Sequence, residues 1–263
     1  MCGITGYLGH REAYPVVING LQRLEYRGYD SAGLVLSHKG QVNLYKTKGK
    51  VSALMKIAEK NNIQGNLGLG HTRWATHGVP NDVNSHPHFS NSGNLVIVHN
   101  GIIENYDSIK KELIQRGYTF QSDTDTEVLI NLIEEVKLKN NGKLGKAVQM
   151  ALSSVVGAYA IAVIDVNVPD EIIVARLGSP IAIGIGENNS EFFVASDASP
   201  FIEYTKDAIY LDDEELAIIK LGEEIRVRKI SDDSLVEPTI QELKLNLEQI
   251  EKGGFKHFML KEI

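Results

Sequence analysis

The sequence contains one cysteine and lacks any long run of apolar residues. A single cysteine cannot form a disulfide within the chain, and no apolar run approaches the ~20 residues that a membrane-spanning helix needs. The N-terminus also lacks the basic region and apolar stretch of a secretory signal peptide. We therefore expect a protein of the reducing cytoplasm, with no membrane partner.

Positive charge is outweighed by negative charge, and glycine-rich phosphate motifs are missing. The 263 residues include 27 Lys and Arg against 34 Asp and Glu, which gives a net charge of −7 at pH 7. Nucleic-acid-binding surfaces need clustered positive charge, so we expect no nucleic-acid partner. The segment GITGYLG, residues 3–9, has the wrong spacing for a dinucleotide-binding loop. We expect no cofactor.

The histidines raise a metal site as an alternative. Five of the eight lie close together in the sequence: His71, His77, His86, His88 and His99. No two of them have the i, i+4 spacing that presents two ligands on one helix face, and His-Pro-His in a loop is not a zinc motif. We therefore predict no metal site.

The pattern of helices and strands changes near residue 157. Before it, short apolar strands alternate with amphipathic helices, and Thr124 with Glu127 forms a capping-box pattern at the start of one helix. After it, short strands follow one another with turn residues between them, which favours antiparallel pairing. Together these patterns predict an α+β layered domain.

The C-terminal stretch has a different character. In PTIQELKLNLEQIEKGG, residues 238–254, apolar side chains such as Ile240, Leu243 and Leu247 recur at helical spacing. The chain then stops within an apolar pattern. We predict one domain over residues 1–240, and a C-terminal helix with the start of an interdomain linker over residues 241–263.

The single cysteine occupies position 2, directly after Met1. If Met1 is removed, the Cys2 α-amine has a reference pKa of about 7.7–8.0, close to working pH. That amine can act as the general base for the thiol of the same residue. The alternative is that Cys2 is a small apolar residue at the start of a strand.

Asn100 and Gly101 follow an apolar stretch in VIVHNGIIEN. Attack of a thiol on an amide creates an oxyanion, which a side-chain NH2 and a closely approaching backbone N–H can stabilise. Asn and Gly are the residue types that supply these two donors. The alternative is structural, because Asn-Gly after a strand is a common signal for a hairpin turn.

A second polar stretch, HTRWATHG at residues 71–78, also follows a predicted strand. Arg73 can bind a carboxylate through two hydrogen bonds, and Thr76 with the backbone at His77 can add donors. Trp74 has the alternative interpretation of a core or lid residue. Asp125 can bind an ammonium group, or its charge can simply complement the dipole of the helix that it begins.

These stretches resemble, in their order, the motifs of class II glutamine amidotransferases. The matching stretches are MCGI (1–4), LEYRGYDSAG (24–33), HTRWATHG (71–78), SHPH (85–88), VHNGIIEN (98–105), SDTDTEV (122–128) and RLGSP (176–180). The resemblance covers essentially the whole chain. It is strongest to the branch whose glutaminase domain precedes sugar-isomerase domains.

The resemblance implies a four-layer αββα sandwich of the N-terminal-nucleophile hydrolase type, with two antiparallel sheets between helical layers. It implies that Cys2 is the nucleophile with its own amine as base, and that Asn100 and Gly101 form the oxyanion hole. The implied glutamine-binding residues are Arg73, Thr76 and His77 for the α-carboxylate, Asp125 and the Gly101 carbonyl for the α-ammonium, and Trp74 in a mobile loop that gates ammonia transfer. Arg27 lies in a motif that flanks this site.

The same resemblance implies that L-glutamine is hydrolysed to glutamate and ammonia through a Cys2 thioester. In the full-length enzyme, sugar-isomerase domains would use the ammonia to make glucosamine 6-phosphate from fructose 6-phosphate, and the enzyme would be a homo-oligomer. Two alternatives stay open. The ammonia acceptor could differ, or the chain could be a non-catalytic glutamine-binding module if Met1 is retained.

Overall fold

The computed structural model describes residues 2–74 and 78–244, and its helices and strands form four layers. In the first half, the elements are β1 (Gly3–Leu8), α1 (Ala13–Leu24), β2 (Ser31–His38), β3 (Gln41–Lys48), α2 (Val51–Ala58), β4 (Leu67–Arg73), β5 (His88–Phe89), β6 (Leu95–Ile103), α3 (Tyr106–Gln115) and α4 (Asp125–Asn140). They continue with α5 (Leu144–Leu152), β7 (Gly157–Asp165), β8 (Val168–Leu177), β9 (Ala182–Ile185), β10 (Phe192–Ala195), β11 (Asp207–Tyr210), β12 (Glu215–Lys220), β13 (Arg226–Lys229), β14 (Leu235–Val236) and β15 (Ile240–Glu242).

The strands form two sheets with antiparallel neighbours. The first has eight strands in the order β15-β11-β9-β10-β1-β4-β2-β3, and the second has seven in the order β14-β13-β12-β8-β7-β6-β5. Strand β1 therefore lies inside the first sheet, paired with β10 on one side and β4 on the other. All six of its residues are buried, as expected for a strand covered on both faces.

Three hydrophobic clusters hold the layers together. The first lies between the sheets and combines residues such as Ile4 and Leu69 with Val98 and Val174. The second packs α1 and α2 on the outer face of the eight-stranded sheet, and the third packs α4 and α5 on the outer face of the seven-stranded sheet. The resulting order is helices, sheet, sheet, helices, which confirms the predicted four-layer α+β fold.

The start of the predicted C-terminal helix is wrong. Residues Ile240–Glu242 form strand β15, which pairs with β11 at the edge of the eight-stranded sheet. An unpaired edge strand offers free backbone N–H and C=O groups, and satisfying them outweighs the helical spacing of the apolar residues. Residues 245–263, which carry the rest of the predicted helix and linker, lie outside the described residues.

No helix in the described ranges, 2–74 and 78–244, is long and apolar enough to cross a membrane.

Candidate active site

The pairing of β1 places Cys2 beside two polar segments. Gly3 pairs with Thr72 of β4, so the residue before it, Cys2, meets the end of β4 at Arg73 and Trp74. On the other side, Thr5 pairs with Ala195 of β10, and the N–H of Ser196 donates to the carbonyl of Ile4. The same strand pairing that forms the sheet therefore brings distant polar residues around Cys2.

The Cys2 thiol contacts the backbone of Trp74. The Trp74 N–H donates to Cys2 Sγ at 3.2 Å, and Sγ lies 3.5 Å from the Trp74 carbonyl oxygen. Burial raises the pKa of the Cys2 thiol, and the Trp74 N–H and the charges of Arg73 and Arg27 only partly oppose that effect. The resting thiol is therefore protonated, and ionising it requires a base.

The Cys2 carbonyl oxygen accepts two side-chain hydrogen bonds. Arg27 Nε donates to it at 3.1 Å, and Asn100 Nδ2 donates to it at 3.2 Å. Arg27 is held in turn by Asp197, whose Oδ2 lies 3.2 Å from Arg27 Nη1 and accepts the hydroxyl of Tyr26 at 3.1 Å. The flanking motif around Arg27 thus contacts the backbone of Cys2 directly.

Asn100 and Gly101 lie within strand β6 and not in a hairpin turn. Asn100 pairs with Ala160 and Gly101 with Tyr159, both on β7. Gly101 has φ of +131°, and a Cβ there would collide with the carbonyl of Ala158. Glycine is therefore required for close strand packing, and the hairpin-turn interpretation of Asn-Gly is wrong.

The side-chain amide of Asn100 has partners on both of its polar atoms. Oδ1 lies 2.9 Å from Nε2 of His71, while Nδ2 donates to Ser196 Oγ at 2.9 Å as well as to the Cys2 carbonyl. Asn100 is buried. The amide is thus fixed next to Cys2 by residues from β4 and from the end of β10.

Arg73, the last residue of β4, is buried beside Cys2. Its Nη2 donates to the carbonyl of Gly78 at 3.3 Å. Burial lowers the pKa of Arg73, and the nearby groups of Cys2, Asp125 and Asp30 act in the opposite direction. Even lowered, a guanidinium pKa stays far above neutral pH, so a positive charge is present in the site.

Asp125 is the first residue of α4 and is also buried. Its Oδ2 accepts the N–H of Ile103 at 2.8 Å, which ties the end of β6 to the helix. The first half of the predicted capping box is present, since Thr124 Oγ1 accepts the N–H of Glu127 at 3.3 Å; the N–H of Thr124 donates to Ser122 Oγ and not to Glu127. The Glu127 carboxylate reaches back to the N–H of Ser122 at 2.6 Å. This cap fixes Asp125 near Arg73.

Trp74 lies at the edge of the site with its side chain 45% exposed. Its ring meets that of Tyr29 edge-on, with 5.6 Å between centroids. Its backbone, and not its ring, is what contacts Cys2. Thr76 and His77 lie outside the described residues, so their roles stay predictions.

The histidines form a buried stack behind the site. The rings of His71 and His86 stack at 4.2 Å, and His88 meets His86 edge-on at 4.8 Å. Burial lowers the pKa of His71 to about 3 and the pKa of His86 and His88 well below the usual value. Within residues 2–74 and 78–244, no group of three or more His, Cys, Asp or Glu could hold a metal ion.

Three residues of the site are not predicted from the sequence. His71 is predicted only as one of the clustered histidines, and neither Ser196 nor Asp197 belongs to a predicted site. The available signal was the segment ASDASP at residues 195–200, where polar residues follow an apolar strand. That signal becomes meaningful only once β10 is known to pair with β1.

Comparison with known proteins relates the chain to glutamine-dependent enzymes. A family model described as "Glutamine amidotransferase domain" matches residues 58–242. Over its full length, the chain is 55% identical to glutamine–fructose-6-phosphate aminotransferase [isomerizing] of Bacteroides thetaiotaomicron and 47% identical to that of Pyrococcus horikoshii. The chain spans 42% and 43% of those two proteins, so it corresponds to less than half of either.

Solved structures share the fold. Glutamine phosphoribosylpyrophosphate amidotransferase from B. subtilis matches with a TM-score of 0.75 at 28% identity, over 88% of this chain and 50% of that one. A structure described as the allosteric regulatory enzyme of purine biosynthesis matches with a TM-score of 0.75 at 30% identity, over 88% of this chain and 49% of its own. The fold is the predicted N-terminal-nucleophile hydrolase type. Because the family model covers most of its length, the chain belongs to the glutamine amidotransferase domain family.

Proposed function

We propose that this chain hydrolyses L-glutamine to glutamate and ammonia, with Cys2 as the nucleophile after removal of Met1. The observation that carries the proposal is the convergence of the Cys2 thiol, the Asn100 amide and the buried Arg73 guanidinium at the start of β1. A nucleophile, an oxyanion donor and a carboxylate-binding cation are what hydrolysis of an amino-acid amide requires.

The thiol attacks the side-chain amide carbon of glutamine while its proton passes to the Cys2 α-amine. The α-amine then gives that proton to the departing nitrogen, ammonia leaves, and a thioester remains on Cys2. Water hydrolyses the thioester, releasing glutamate and restoring the thiol. The raised pKa of the thiol supports this route, because a thiol that is protonated at rest needs a base close by.

Asn100 Nδ2 and the backbone N–H of Gly101 are the proposed donors to the oxyanion. The Asn100 amide is already fixed beside Cys2, with Nδ2 bonded to the Cys2 carbonyl and to Ser196 Oγ, so donation to the oxyanion requires only that one of these hydrogen bonds be exchanged or shared. A side chain at position 101 would collide with the carbonyl of Ala158, which accounts for glycine at this position.

Arg73 and Asp125 are proposed to bind the two charged groups of glutamine. The Arg73 guanidinium would hold the α-carboxylate, with Thr76 and His77 adding donors. Asp125 and the Gly101 carbonyl would hold the α-ammonium. Both side chains are buried, so each interaction would form with little competing water. Trp74, at the exposed edge, is proposed to belong to a loop that covers bound glutamine.

In a longer protein, we propose that the ammonia aminates fructose 6-phosphate to give glucosamine 6-phosphate. The proposal rests on the printed names of the relatives, of which this chain spans less than half. Sugar-isomerase domains on the same polypeptide, a homo-oligomeric assembly and a cytoplasmic location complete it. A different acceptor is the alternative, because a phosphoribosylpyrophosphate amidotransferase has the same fold.

Glutaminase assays on purified Cys2→Ala and Cys2→Ser variants test the proposal. We expect the wild type to release glutamate, and both variants to fall to background, because a hydroxyl is far harder to ionise than a thiol. Melting curves should stay close to wild type, since Cys2 precedes the buried strand β1. Undiminished glutamate release by Cys2→Ala would remove Cys2 as the nucleophile. A wild type with Met1 retained and no activity would favour the glutamine-binding module.

A further inference from the structure

The Asn100 side chain presents a problem of orientation that its shape alone does not solve. Rotating an amide by 180° exchanges Oδ1 and Nδ2 and leaves its shape almost unchanged. Only Nδ2 can donate to an oxyanion, and Oδ1 in its place would repel that charge. An oxyanion donor of this kind therefore requires a neighbour that accepts one orientation and rejects the other.

The hydrogen bond from His71 provides that selection. Its Nε2 lies 2.9 Å from Asn100 Oδ1 and 3.0 Å from the His99 carbonyl oxygen. Both neighbours are acceptors, so the proton of the neutral ring lies on Nε2. Nδ1, which then carries no proton, is buried without a hydrogen-bond partner among the described residues. If the Asn100 amide turned over, two N–H donors would face each other.

Ser196 cannot make the same selection. Its Oγ accepts from Asn100 Nδ2 at 2.9 Å and from the N–H of Ile4 at 2.8 Å. A hydroxyl can donate as well as accept, so it can bond either end of the amide. The Cys2 carbonyl accepts only, but it belongs to the backbone and no substitution removes it. His71 is thus the one side chain among these three contacts that discriminates between the orientations.

The His71 ring is itself held firmly in place. His71 lies in the middle of β4, paired with Ile4 on one side and Gly33 on the other. Its ring stacks on that of His86 with 4.2 Å between centroids and 16° between planes. Burial keeps the ring neutral, with a pKa of about 3, so the proton on Nε2 stays in place across the working pH range.

We infer that His71 is a positioning residue, whose Nε2–H fixes the Asn100 amide so that its NH2, and not its oxygen, is on the side of Cys2. The inference rests on the proposed function, in which Asn100 donates to the oxyanion. His71 touches neither the thiol nor glutamine in this account, and it acts entirely through Asn100. Its effect should therefore fall on the transition state and not on glutamine binding.

His71→Phe tests the inference, because it keeps a planar ring for the stack and removes the N–H. Loss of one buried hydrogen bond should lower kcat about 10- to 100-fold, with KM within about threefold of wild type. His71→Gln, which can present an NH2 near the position of Nε2, should recover kcat to within about fivefold of wild type. If His71 had only a structural role, both substitutions would lower the melting temperature, and kcat per folded molecule would be unchanged.

A double-mutant cycle with Asn100→Ala separates action through Asn100 from any other action. Without the Asn100 amide, adding His71→Phe should change kcat by less than about twofold. If the two effects multiply instead, His71 acts independently of Asn100 and the inference is wrong. Absence of glutaminase activity in the wild type would contradict the proposed function and not, by itself, the role of His71.

A ring-nitrogen NMR measurement on the wild type needs neither turnover nor a stable variant. In ¹⁵N-labelled protein, the His71 ring should carry its proton on Nε2 between about pH 6 and pH 8, as its position between two acceptors requires. The signal is assigned by its loss in His71→Gln. A proton on Nδ1 would leave no donor for Asn100 Oδ1 and would overturn the inference, even if His71→Phe failed to fold.

Discussion

The site has a reaction end, around Cys2 and Asn100, and a substrate end, where Trp74 lies. The side chains at these two ends differ in how firmly contacts within the protein fix them. At the reaction end, the Asn100 amide and the Cys2 carbonyl are fixed by contacts from β4, β10 and the Arg27 segment. At the substrate end, Trp74 is 45% exposed. The proposed oxyanion donor is thus held in place by the protein itself, whereas the Trp74 ring, which is proposed to cover glutamine, lies partly exposed at the edge of the site.

The difference indicates how the proposed binding energy is divided. Contacts that already exist in the empty site cost little when charge develops, so they should act mainly on kcat. Contacts made with glutamine itself should act mainly on KM. Substitutions at the reaction end should therefore change mainly kcat, and substitutions at the substrate end should change mainly KM. Variants that change both constants equally would contradict the comparison.

Among variants that keep the Cys2 nucleophile, the largest effect on kcat is expected for Asn100→Ala. Removing one oxyanion donor should lower kcat by roughly 10²–10³-fold and leave KM within a few-fold. Steady-state kinetics with a melting curve measure both effects. A kcat within a few-fold of wild type would show that Asn100 is not part of the oxyanion hole. Only backbone donors would then stabilise the oxyanion.

Arg73→Ala should act on the other constant. Truncating one member of a buried charge pair costs roughly 2–5 kcal/mol of binding, so KM for glutamine should rise by about 30-fold or more. Because Arg73 is buried, the variant should also lose stability, and rates must be referred to the folded fraction. Arg116→Ala is the matched control, since Arg116 pairs with Glu112 and Glu135 on the surface. An unchanged KM in folded Arg73→Ala would make Arg73 a structural residue.

The buried histidines behind Asn100 should make stability depend on pH. Their pKa values are lowered by burial, so below about pH 6.5 the unfolded chain binds protons that the folded chain does not. Each such histidine should cost about 1.4 kcal/mol of unfolding free energy per pH unit as the pH falls. Urea unfolding at pH 7, 6 and 5 measures the slope, which His71→Phe should reduce. A flat profile in wild type would show that the stack is protonated or hydrated.

Trp74→Ala should have the smallest effect. The ring contributes one edge contact with Tyr29, worth about 0.5–1.5 kcal/mol beyond area burial, and it is the backbone of Trp74 that contacts Cys2. We expect kcat for glutamine hydrolysis within a few-fold of wild type, with a modest rise in KM. Tyr29→Ala is the control for the aromatic contact alone. A loss of kcat as large as that of Asn100→Ala would place the Trp74 ring at the reaction end.

Much of the fold follows from local patterns in the sequence. Three local patterns in the sequence correspond to structure: the apolar run of β1, the capping pair Thr124 and Glu127, and the change in the pattern of helices and strands near residue 157. Strand β3 was not predicted, because an edge strand such as QVNLYKTK exposes polar side chains and has a weak apolar signal. The C-terminal strand β15 was missed for a related reason, since its stability comes from pairing with β11.

The site residues also fall into two groups: those that local sequence patterns single out, and those that depend on strand pairing. Cys2 is singled out by its position alone, and Asn100 and Gly101 by their residue types after an apolar stretch. His71 and Ser196 acquire their meaning only from strand pairing, because their contacts with Asn100 join residues 29 and 96 positions apart in the sequence. Such contacts depend on sheet order and register, which local patterns do not determine.

The most direct test of the central claim is mass spectrometry of the intact protein after reaction with a glutamine analogue that carries an electrophile in place of the side-chain amide. We predict a protein that lacks Met1, gains one equivalent of the analogue, and carries it on the peptide beginning with Cys2. Excess glutamine should protect the protein, and Cys2→Ala should gain no mass. Modification at another residue, or full glutaminase activity with Met1 still attached, would contradict the account.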